Sequence, residues 1–391
     1  MTDTYDVIIV GGAAIGSSAA FFLSHHPEFD GRVLVIERDP TYAACSTTLS
    51  AASIRQQFST PVNIRMSQFG IEFLKSLPQR FGPEADVGFR ENGYLMLASA
   101  HGEAVLRTNY ETQVGLNADS TWLTPADIGR RYPWLSVEGI AAGCLGLSNE
   151  GWFDSHTLLQ VLRSQALANG VDYIKGEVTA LSLDDGRISG VRLSDGRSFN
   201  CGHLVNAAGP NGSRVAAMAD LALPVESRKR FVYVIDCREK EAIVDCPLLI
   251  NPNGVYVRPE GDYFICGVSP PAEQDPECFD LTVDYDLFNT LIWPTLAERI
   301  PVFEAIKVIN AWAGHYAYNT LDQNAIVGPH PEVGNFFFAN GFSGHGLQQS
   351  PAVGRGIAEL IVDRRYTSLD LNDLSYARVV ENRPLLEANV I

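Results

Sequence analysis

The sequence predicts a two-domain α/β protein, and two observations support this prediction. The chain has 391 residues, which is too long for one simple hydrophobic core. Residues 6–37 read, in order, as a buried strand, a glycine-rich turn, a helix of small residues and a second buried strand that ends on an acid. Such a βαβ unit is the building block of a Rossmann-like α/β domain.

The stretch GGAAIG, residues 11–16, departs at one position from the G-x-G-x-x-G pattern of dinucleotide-binding turns. Gly11 and Gly16 keep the required spacing, whereas Ala13 replaces the middle glycine with one extra methyl group. The helix N-terminus offers free N–H groups to a pyrophosphate, and Glu37 stands where an acid can accept hydrogen bonds from ribose hydroxyls. We therefore predict a dinucleotide site; a glycine turn that binds nothing is the alternative.

The charge balance and the cysteines exclude several classes of protein. The 46 acidic and 29 basic side chains leave a net charge of −17, which argues against nucleic acid or an anionic membrane as the main partner. No apolar run approaches the ~20 residues that span a bilayer. The seven cysteines include no C-x-x-C pair, so we expect neither disulfides nor a metal site. With no targeting signal at the N-terminus, we expect a cytoplasmic protein.

A segment in the middle of the chain favours FAD over NAD as the nucleotide. Around residues 187–212, Asp-Gly turn signals at 185–186 and 195–196 predict an antiparallel meander that ends in an apolar strand and the turn 206–209. A returning strand of this kind is typical of flavoproteins. A NAD(P)H reductase would carry a second nucleotide unit, but no second G-x-G-x-x-G with a strand and an acid occurs in the sequence.

A segment near the C-terminus, residues 335–363, carries a glycine-rich turn followed by a helix. We expect Ser350 to cap this helix and Pro351 to occupy its first position. A helix N-terminus there can stabilise the negative charge of a reduced flavin ring. The polar loop 44–59 is expected to cover the flavin, which leaves Arg55 as a cation on the substrate side.

A resemblance to a known family rests on four stretches that together span most of the chain: STTLSAASIRQQFS, AWAGHYAYNTLDQNAIVGPHP, GFSGHGLQQSPAVGRGIAE and RPLLEANVI. They resemble the superfamily of FAD-dependent amine and amino-acid oxidoreductases, of the D-amino-acid oxidase and monomeric sarcosine oxidase type. Within it they are most similar to the branch that holds the FAD-dependent oxidoreductase-domain complex I assembly factor of mitochondria.

The resemblance implies a Rossmann-like FAD-binding domain of glutathione-reductase-2 type, assembled from residues 1–85, 147–222 and 322–391. It implies a substrate-binding domain built on an antiparallel sheet, from residues 86–146 and 223–321. The contacts to non-covalent FAD that the fingerprint and the resemblance together imply are Gly11, Gly12, Ala13, Ala14, Ile15, Gly16, Glu37, Arg38, Cys45, Ser46, Thr47, Ser50, Ala51, Ala52, Val178, Ala207, Ala208, Gly209, Gly314, Gly344, His345, Gly346, Leu347 and Gln348.

Four residues are candidates for the substrate side. Arg55 and Arg258 could anchor a carboxylate, since a guanidinium fork matches its two oxygens; a structural salt bridge is the alternative for each. Tyr256 could hydrogen-bond the substrate or serve only in packing. His315 could be a polar group beside the flavin, a base, or a satisfied core histidine. The run 228–230, Arg-Lys-Arg, is interpreted as a surface or sheet-edge feature.

The sequence also departs from the family pattern. His315 stands where monomeric sarcosine oxidase links its flavin to a cysteine, so a thioether is excluded. Leu347 and Gln348 replace an aromatic residue and a lysine that grips the substrate carboxylate. Among five lysines, only Lys229 and Lys307 lie in segments near the substrate domain. We therefore expect a dehydrogenase that passes electrons to a protein or quinone, or a slow oxidase.

These patterns together predict an enzyme that oxidises the C–N bond of a secondary amine or an amino acid, N-methylated or of the D series. A hydride would pass to flavin N5, and the resulting imine would hydrolyse. Two alternatives remain open: an FAD protein with an assembly or interaction role, and a NAD(P)H-using reductase.

Overall fold

The computed structural model describes residues 3–388, so the last three residues of the RPLLEANVI stretch lie outside the described residues. The strands are β1 (Asp3–Val10), β2 (Val33–Glu37), β3 (Ser53–Ile54), β4 (Tyr94–Ala98), β5 (Ser120–Leu123), β6 (Ala142–Gly146), β7 (Gly151–Trp152), β8 (Asp172–Lys175), β9 (Val178–Asp184), β10 (Arg187–Leu193), β11 (Ser198–Asn206), β12 (Val225–Cys237), β13 (Leu248–Ile250), β14 (Tyr256–Glu260), β15 (Tyr263–Gly267), β16 (Ile306–Asn319), β17 (Ile326–Pro329) and β18 (Phe336–Asn340). The helices are α1 (Ala14–Ser24), α2 (Pro61–Phe81), α3 (Glu103–Gly115), α4 (Pro125–Arg131), α5 (Ser155–Ala168), α6 (Gly212–Ala217), α7 (Trp293–Arg299), α8 (Gly346–Val362) and α9 (Ala377–Val380).

The first sheet has the strand order β17-β18-β11-β1-β2-β8, and β9 and β10 extend it as antiparallel strands beside β11. β1 lies between β2 and β11 and is parallel to both. Its apolar side chains alternate between two cores: Val7 and Ile9 pack in one hydrophobic cluster, while Ile8 and Val10 pack in another. A strand covered on both faces needs the continuous apolar run that this segment has.

The meander predicted from the Asp-Gly pairs is present as β9, β10 and β11. Asp185, Gly186 and Gly196 all have positive φ, as hairpin turns require. β11 then returns to the centre of the sheet and ends at Asn206, next to the end of β1.

The second sheet has the strand order β16-β12-β15-β14-β13-β4-β6-β5. It is antiparallel, as the resemblance implies, except that β13 and β4 are parallel. One face carries Leu95, Leu97 and Tyr233 and packs against α4, α7 and a π-helical turn, Phe288–Ile292. The opposite face carries Tyr94, Leu248, Ile250 and Tyr256, and these side chains line a cavity.

The strands of the first sheet all fall within residues 1–85, 147–222 and 322–391, and those of the second within 86–146 and 223–321. We propose these segments as the two domains. Within residues 3–388, every helix falls short of the combination of length and apolarity that a bilayer crossing requires.

The start predicted for the C-terminal helix is wrong. α8 begins at Gly346, so Ser350 and Pro351 lie inside it rather than at its cap. Proline has no N–H to donate to the carbonyl four residues earlier, which is that of Leu347. The Ser350 hydroxyl donates to that carbonyl instead, at 2.9 Å. This local replacement lets the helix continue through the proline.

Candidate active site

One cavity extends from the turn between β1 and α1 to the face of the second sheet that carries Tyr94 and Tyr256. Its lining includes most of the residues predicted from the sequence. Of the predicted FAD contacts, Gly12, Gly16 and Ala52 lie outside the lining, as does Arg258 among the substrate candidates. Residues that the sequence reasoning missed include Tyr94, Asn211, Arg214, Arg230, Ser269, Tyr316 and Phe342.

The glycines of the first turn hold the main chain where a nucleotide cradle needs it. Gly11 has φ +98°, and a Cβ atom there would lie 2.4 Å from the carbonyl oxygen of Ala207. A Cβ atom on Gly16 would lie 1.8 Å from the Gly11 oxygen, so α1 could not approach β1. Ala13 has φ −72°, which any residue adopts. The turn therefore needs glycine at 11 and 16 but not at 13, and the residues present fit a bound dinucleotide.

Glu37 ends β2 at the edge of the cavity. Its carboxylate accepts hydrogen bonds from the backbone N–H groups of Gly12, at 2.8 Å, and Asp39, at 2.9 Å. These bonds fix the acid beside the glycine turn. Thr47, on the loop 44–59, accepts a hydrogen bond from the Ala14 N–H at 3.2 Å, which brings that loop against the N-terminus of α1.

The N-terminus of α8 faces the cavity from the other side. Gly344 has φ +93°, and a Cβ atom there would lie 2.6 Å from the Tyr316 ring, so this turn needs glycine. The Gln348 side chain accepts a hydrogen bond from the Arg55 backbone N–H at 3.0 Å, which ties the loop 44–59 to α8. The positive end of this helix is thereby held next to the cavity.

Arg55 is buried in the cavity wall. Its guanidinium donates to the Gln57 carbonyl and lies 3.1 Å from Nε2 of His345, and it stacks 4.1 Å over the Phe58 ring. Burial and the neighbouring Arg55 charge hold the pKa of His345 well below its usual range. His345 is therefore neutral, and its Nε2 accepts the hydrogen bond that Arg55 donates.

Three tyrosines line the cavity on the side of the second sheet. Burial raises the pKa of Tyr94 to about 12 and also raises the pKa of Tyr256 and Tyr316. All three hydroxyls therefore stay protonated and can donate hydrogen bonds. Tyr256 was predicted; Tyr94 and Tyr316 could have been found from the alternation of faces along their strands.

His315 lines the cavity from the edge strand β16. Its Nδ1 lies 3.2 Å from the Ser227 hydroxyl, and burial is the main cause that lowers its pKa, so the ring is neutral at pH 7. In the pairing with β12, His315 lies opposite Lys229, whereas Tyr316 lies opposite Arg228. His315 and Tyr316 therefore project to opposite faces of the sheet.

The structure does not bring Arg258 into the cavity lining. Its guanidinium donates to the Ala51 carbonyl at 2.6 Å, to the Pro259 carbonyl at 2.8 Å and to the Glu260 carboxylate. It also stacks over the Trp152 ring. The salt-bridge alternative is thus what the geometry shows, because a buried guanidinium on this strand finds acceptors within the protein.

The interpretation of residues 228–230 as surface is wrong for one residue. Arg230 is only 9% exposed and lines the cavity. Lys229, on the opposite face of the strand, donates to Asp280 at 2.9 Å outside the lining. Within residues 3–388, the cavity lining includes arginines but no lysine.

The comparisons with known proteins agree with this geometry. A family model described as "DAO: FAD dependent oxidoreductase" matches residues 6–360. The chain belongs to the DAO family of FAD-dependent oxidoreductases. FAD is therefore the cofactor of this DAO-family protein, and the glycine turn, Glu37 and the N-terminus of α8 are the parts of the cavity that fit it.

Three similar proteins illustrate how far the likeness extends along the chain. FAD-dependent oxidoreductase domain-containing protein 1 of Xenopus laevis is 43% identical, over 99% of this chain and 85% of that protein. Glycine oxidase of Geobacillus kaustophilus is 28% identical, over 97% of this chain and 98% of that protein. The crystal structure of L-proline dehydrogenase from P. horikoshii superposes with a TM-score of 0.87 at 24% identity, covering 98% of this chain and 100% of that one, which shows the shared fold.

Proposed function

We propose that this protein oxidises the C–N bond of an amino acid, with a secondary amine as the preferred nitrogen group. One observation carries the proposal: the dinucleotide cradle and a wall that includes Arg55 and three tyrosines, Tyr94, Tyr256 and Tyr316, line the same cavity. The similarity to a glycine oxidase supports an amino acid as the substrate class.

The chemistry that FAD supplies when bound is acceptance of a hydride at N5 from the carbon beside the amine nitrogen, which leaves an imine for water to hydrolyse. This chain's residues bind and orient the substrate. We propose that Arg55 attracts the carboxylate, since its buried guanidinium lies in the cavity wall and its planar fork matches the two oxygens of a carboxylate. Tyr256 would donate a hydrogen bond to the substrate from the sheet.

The two histidines of the cavity have different proposed roles. His345 cannot take the amine proton, because its Nε2 already accepts a bond from Arg55 and its pKa is far below 7. His315 lines the cavity from the edge strand but projects away from the face that carries Tyr316, so we propose it as a polar group beside FAD rather than a base that reaches the substrate. The substrate would then bind with its amine already neutral.

We propose an electron acceptor other than oxygen, either a protein or a quinone. The resemblance to monomeric sarcosine oxidase implies an oxygen-activating lysine in the strand that is β15 here, but β15 contains no lysine, and the described cavity lining contains none that could replace it. All seven cysteines are free thiols, in keeping with the cytoplasmic location that we propose.

Anaerobic mixing of the FAD-loaded protein with N-methyl, D- and cyclic amino acids tests the function through bleaching of the flavin. Secondary amino acids should bleach it, and their decarboxylated amines should do so far more slowly. Arg55→Ala should weaken binding of the carboxylate substrate by about 3–5 kcal/mol, because the substrate's carboxylate then lies buried and unpaired. Arg258→Ala is the matched control: it should change thermal stability but leave the substrate dependence of bleaching as in wild type.

Two results would count against the proposal. If no amine or amino acid bleached the flavin, a role in assembly or interaction would be favoured over an enzyme. If the decarboxylated amines reacted as readily as the amino acids, in both wild type and Arg55→Ala, the substrate would be a simple amine.

A further inference from the structure

Arg230 is a buried cation in the cavity wall that the proposed mechanism does not use. It lies on β12, next to the edge strand β16, and its guanidinium carbon lies 4.8 Å from the centroid of the Tyr316 ring. Arg230 pairs with Gly314, and Tyr316 pairs with Arg228, so all four residues project to the cavity face of the sheet. Val232, two residues further along β12, also lines the cavity.

The partner of Arg230 is Asp275, from the segment 268–284 that follows β15. The two Nη atoms of Arg230 donate to the two carboxylate oxygens of Asp275 at 2.7 and 2.8 Å. The segment is held against β12 by two further contacts: the Cys278 N–H donates to the Ser227 carbonyl at 2.7 Å, and Lys229 donates to Asp280. Asp275 is therefore positioned beside the cavity by its own segment.

A second buried pair in the molecule shows what a purely structural arginine looks like. Arg378 donates to both oxygens of Asp322, and its remaining N–H groups donate to the carbonyls of Leu374, Ser375, Asn324 and Ala325. A guanidinium has five N–H donors, and those of Arg378 are all directed at protein oxygens. Arg378 also lies outside the cavity lining.

Arg230 uses fewer of its donors. Besides Asp275 it donates to the Lys229 carbonyl, and its Nε, although buried, has no hydrogen-bond partner. Four described arginines share an unpartnered Nε, but Arg230 alone among these four lines the cavity. Arg230 therefore combines a place in the cavity wall with an N–H group that no protein acceptor satisfies.

We propose that Arg230 recognises an acidic group of the substrate and that Asp275 is its internal counter-ion. The pair then sets the preference of the cavity for anionic substrates: Arg230 supplies the attraction, and Asp275 offsets part of its charge while the cavity is empty of substrate. The inference rests on the proposed function, because it assumes that the substrate carries a carboxylate.

A ligand pair tests this without turnover. The FAD-loaded protein is titrated with pyrrole-2-carboxylate and with its uncharged amide, and the flavin absorbance change and calorimetry give both dissociation constants. Wild type should bind the carboxylate more tightly. Arg230→Gln should weaken carboxylate binding by at least about tenfold, the factor expected for one charge-assisted hydrogen bond, while binding of the amide changes little.

Asp275→Asn distinguishes recognition from a structural role, because it should strengthen carboxylate binding, whereas Arg230→Gln should weaken it. Removing the counter-ion leaves the charge of Arg230 uncompensated, so carboxylate binding should tighten by roughly threefold or more. If the pair only held the segment 268–284 in place, both variants would change binding in the same direction, and they would affect the amide as much as the carboxylate.

Controls keep the test independent of folding. Arg228→Gln removes the same charge from the same face of β12 and also loses an unpartnered Nε, but residue 228 lies outside the cavity lining, so the preference should be unchanged. If Arg230→Gln does not load FAD, the double variant Arg230→Gln/Asp275→Asn replaces the pair by two neutral groups of similar shape and should fold with a reduced preference. Arg55 still attracts the carboxylate in these variants, so the preference should shrink rather than vanish; a preference as large as that of wild type in either Arg230 variant would overturn the inference. A wild type with no preference would instead count against the carboxylate substrate itself.

Discussion

Replacing Gly11 with a larger residue should strain the turn between β1 and α1 and reduce FAD loading. A Cβ atom at this position would lie 2.4 Å from the carbonyl oxygen of Ala207, 2.8 Å from its carbonyl carbon and 3.1 Å from Cα of Ala208. These are main-chain atoms of the turn after β11, so no side-chain rotation can remove the contact. The ends of β1 and β11 would have to move apart, and the turns that follow both strands form part of the nucleotide cradle.

The expected loss of unfolding free energy at Gly11 has two parts. A positive φ costs a residue with a Cβ atom about 1–2 kcal/mol, and forcing extra volume into a packed site costs about 1–3 kcal/mol. Gly11→Ala should therefore lower the free energy of unfolding by about 2–5 kcal/mol, and Gly11→Val by more, because a β-branched side chain is stiffer. If the apoprotein relieves this strain by moving the turn, FAD affinity should fall by roughly 30-fold or more.

Gly196→Ala separates the two parts. Gly196 has φ +90°, but a Cβ atom there would meet no atom within 4 Å, so this variant should lose only about 1–2 kcal/mol. The flavin-to-protein ratio and urea unfolding of the apoprotein measure both effects, and Ala13→Gly should keep full flavin content. The reasoning fails if Gly11→Val loads FAD fully, or if Gly11→Ala costs no more stability than Gly196→Ala.

Two further predictions concern the attachment of FAD and the buried acid Glu150. Acid or heat should release FAD intact, because His315 occupies the place of the linking cysteine in sarcosine oxidase; flavin that sediments with the denatured protein would contradict this. Burial raises the pKa of Glu150 to about 7, well above its unfolded value, so the folded protein binds this proton more tightly. The contribution of this proton to the free energy of unfolding is complete below about pH 4, and about 3 kcal/mol of it is lost as pH rises through about 7. Urea unfolding of Glu150→Gln should not show this loss. Parallel pH profiles of wild type and Glu150→Gln would show that Glu150 does not titrate in this range.

The FAD side of the site could be predicted because its signals are local. The strand, the turn and the acid at Glu37 lie within one short segment, and each follows from residue type: apolar β-branched residues for the strand, glycine for φ +98° at Gly11. The pairing of the second sheet could not be read in this way. β13 joins β4 across more than a hundred residues of chain, and nothing local to either strand specifies that register.

The start of α8 shows where a local signal misleads. Ser-Pro is a common way to begin a helix, but here the preceding turn decides the boundary: positive φ at Ser343 and Gly344 reverses the chain, and the helix follows at once. The Ser350 hydroxyl then serves the carbonyl that Pro351 leaves without a donor. Ser350 and Pro351, the two residues that suggest a helix cap, are thus compatible with a helix that continues through them.

Arg230 was missed for a different physical reason. Three consecutive basic residues suggest a solvated face, but in a strand neighbouring side chains point to opposite sides of the sheet. Lys229 reaches Asp280 on one side, while Arg230 turns to the other, with Gly314 and Tyr316. An arginine buried there needs a counter-ion, and Asp275 supplies it from a segment more than forty residues away. Charge runs on strands should therefore be assigned face by face, since one member of the run can line a site while the next lies at the surface.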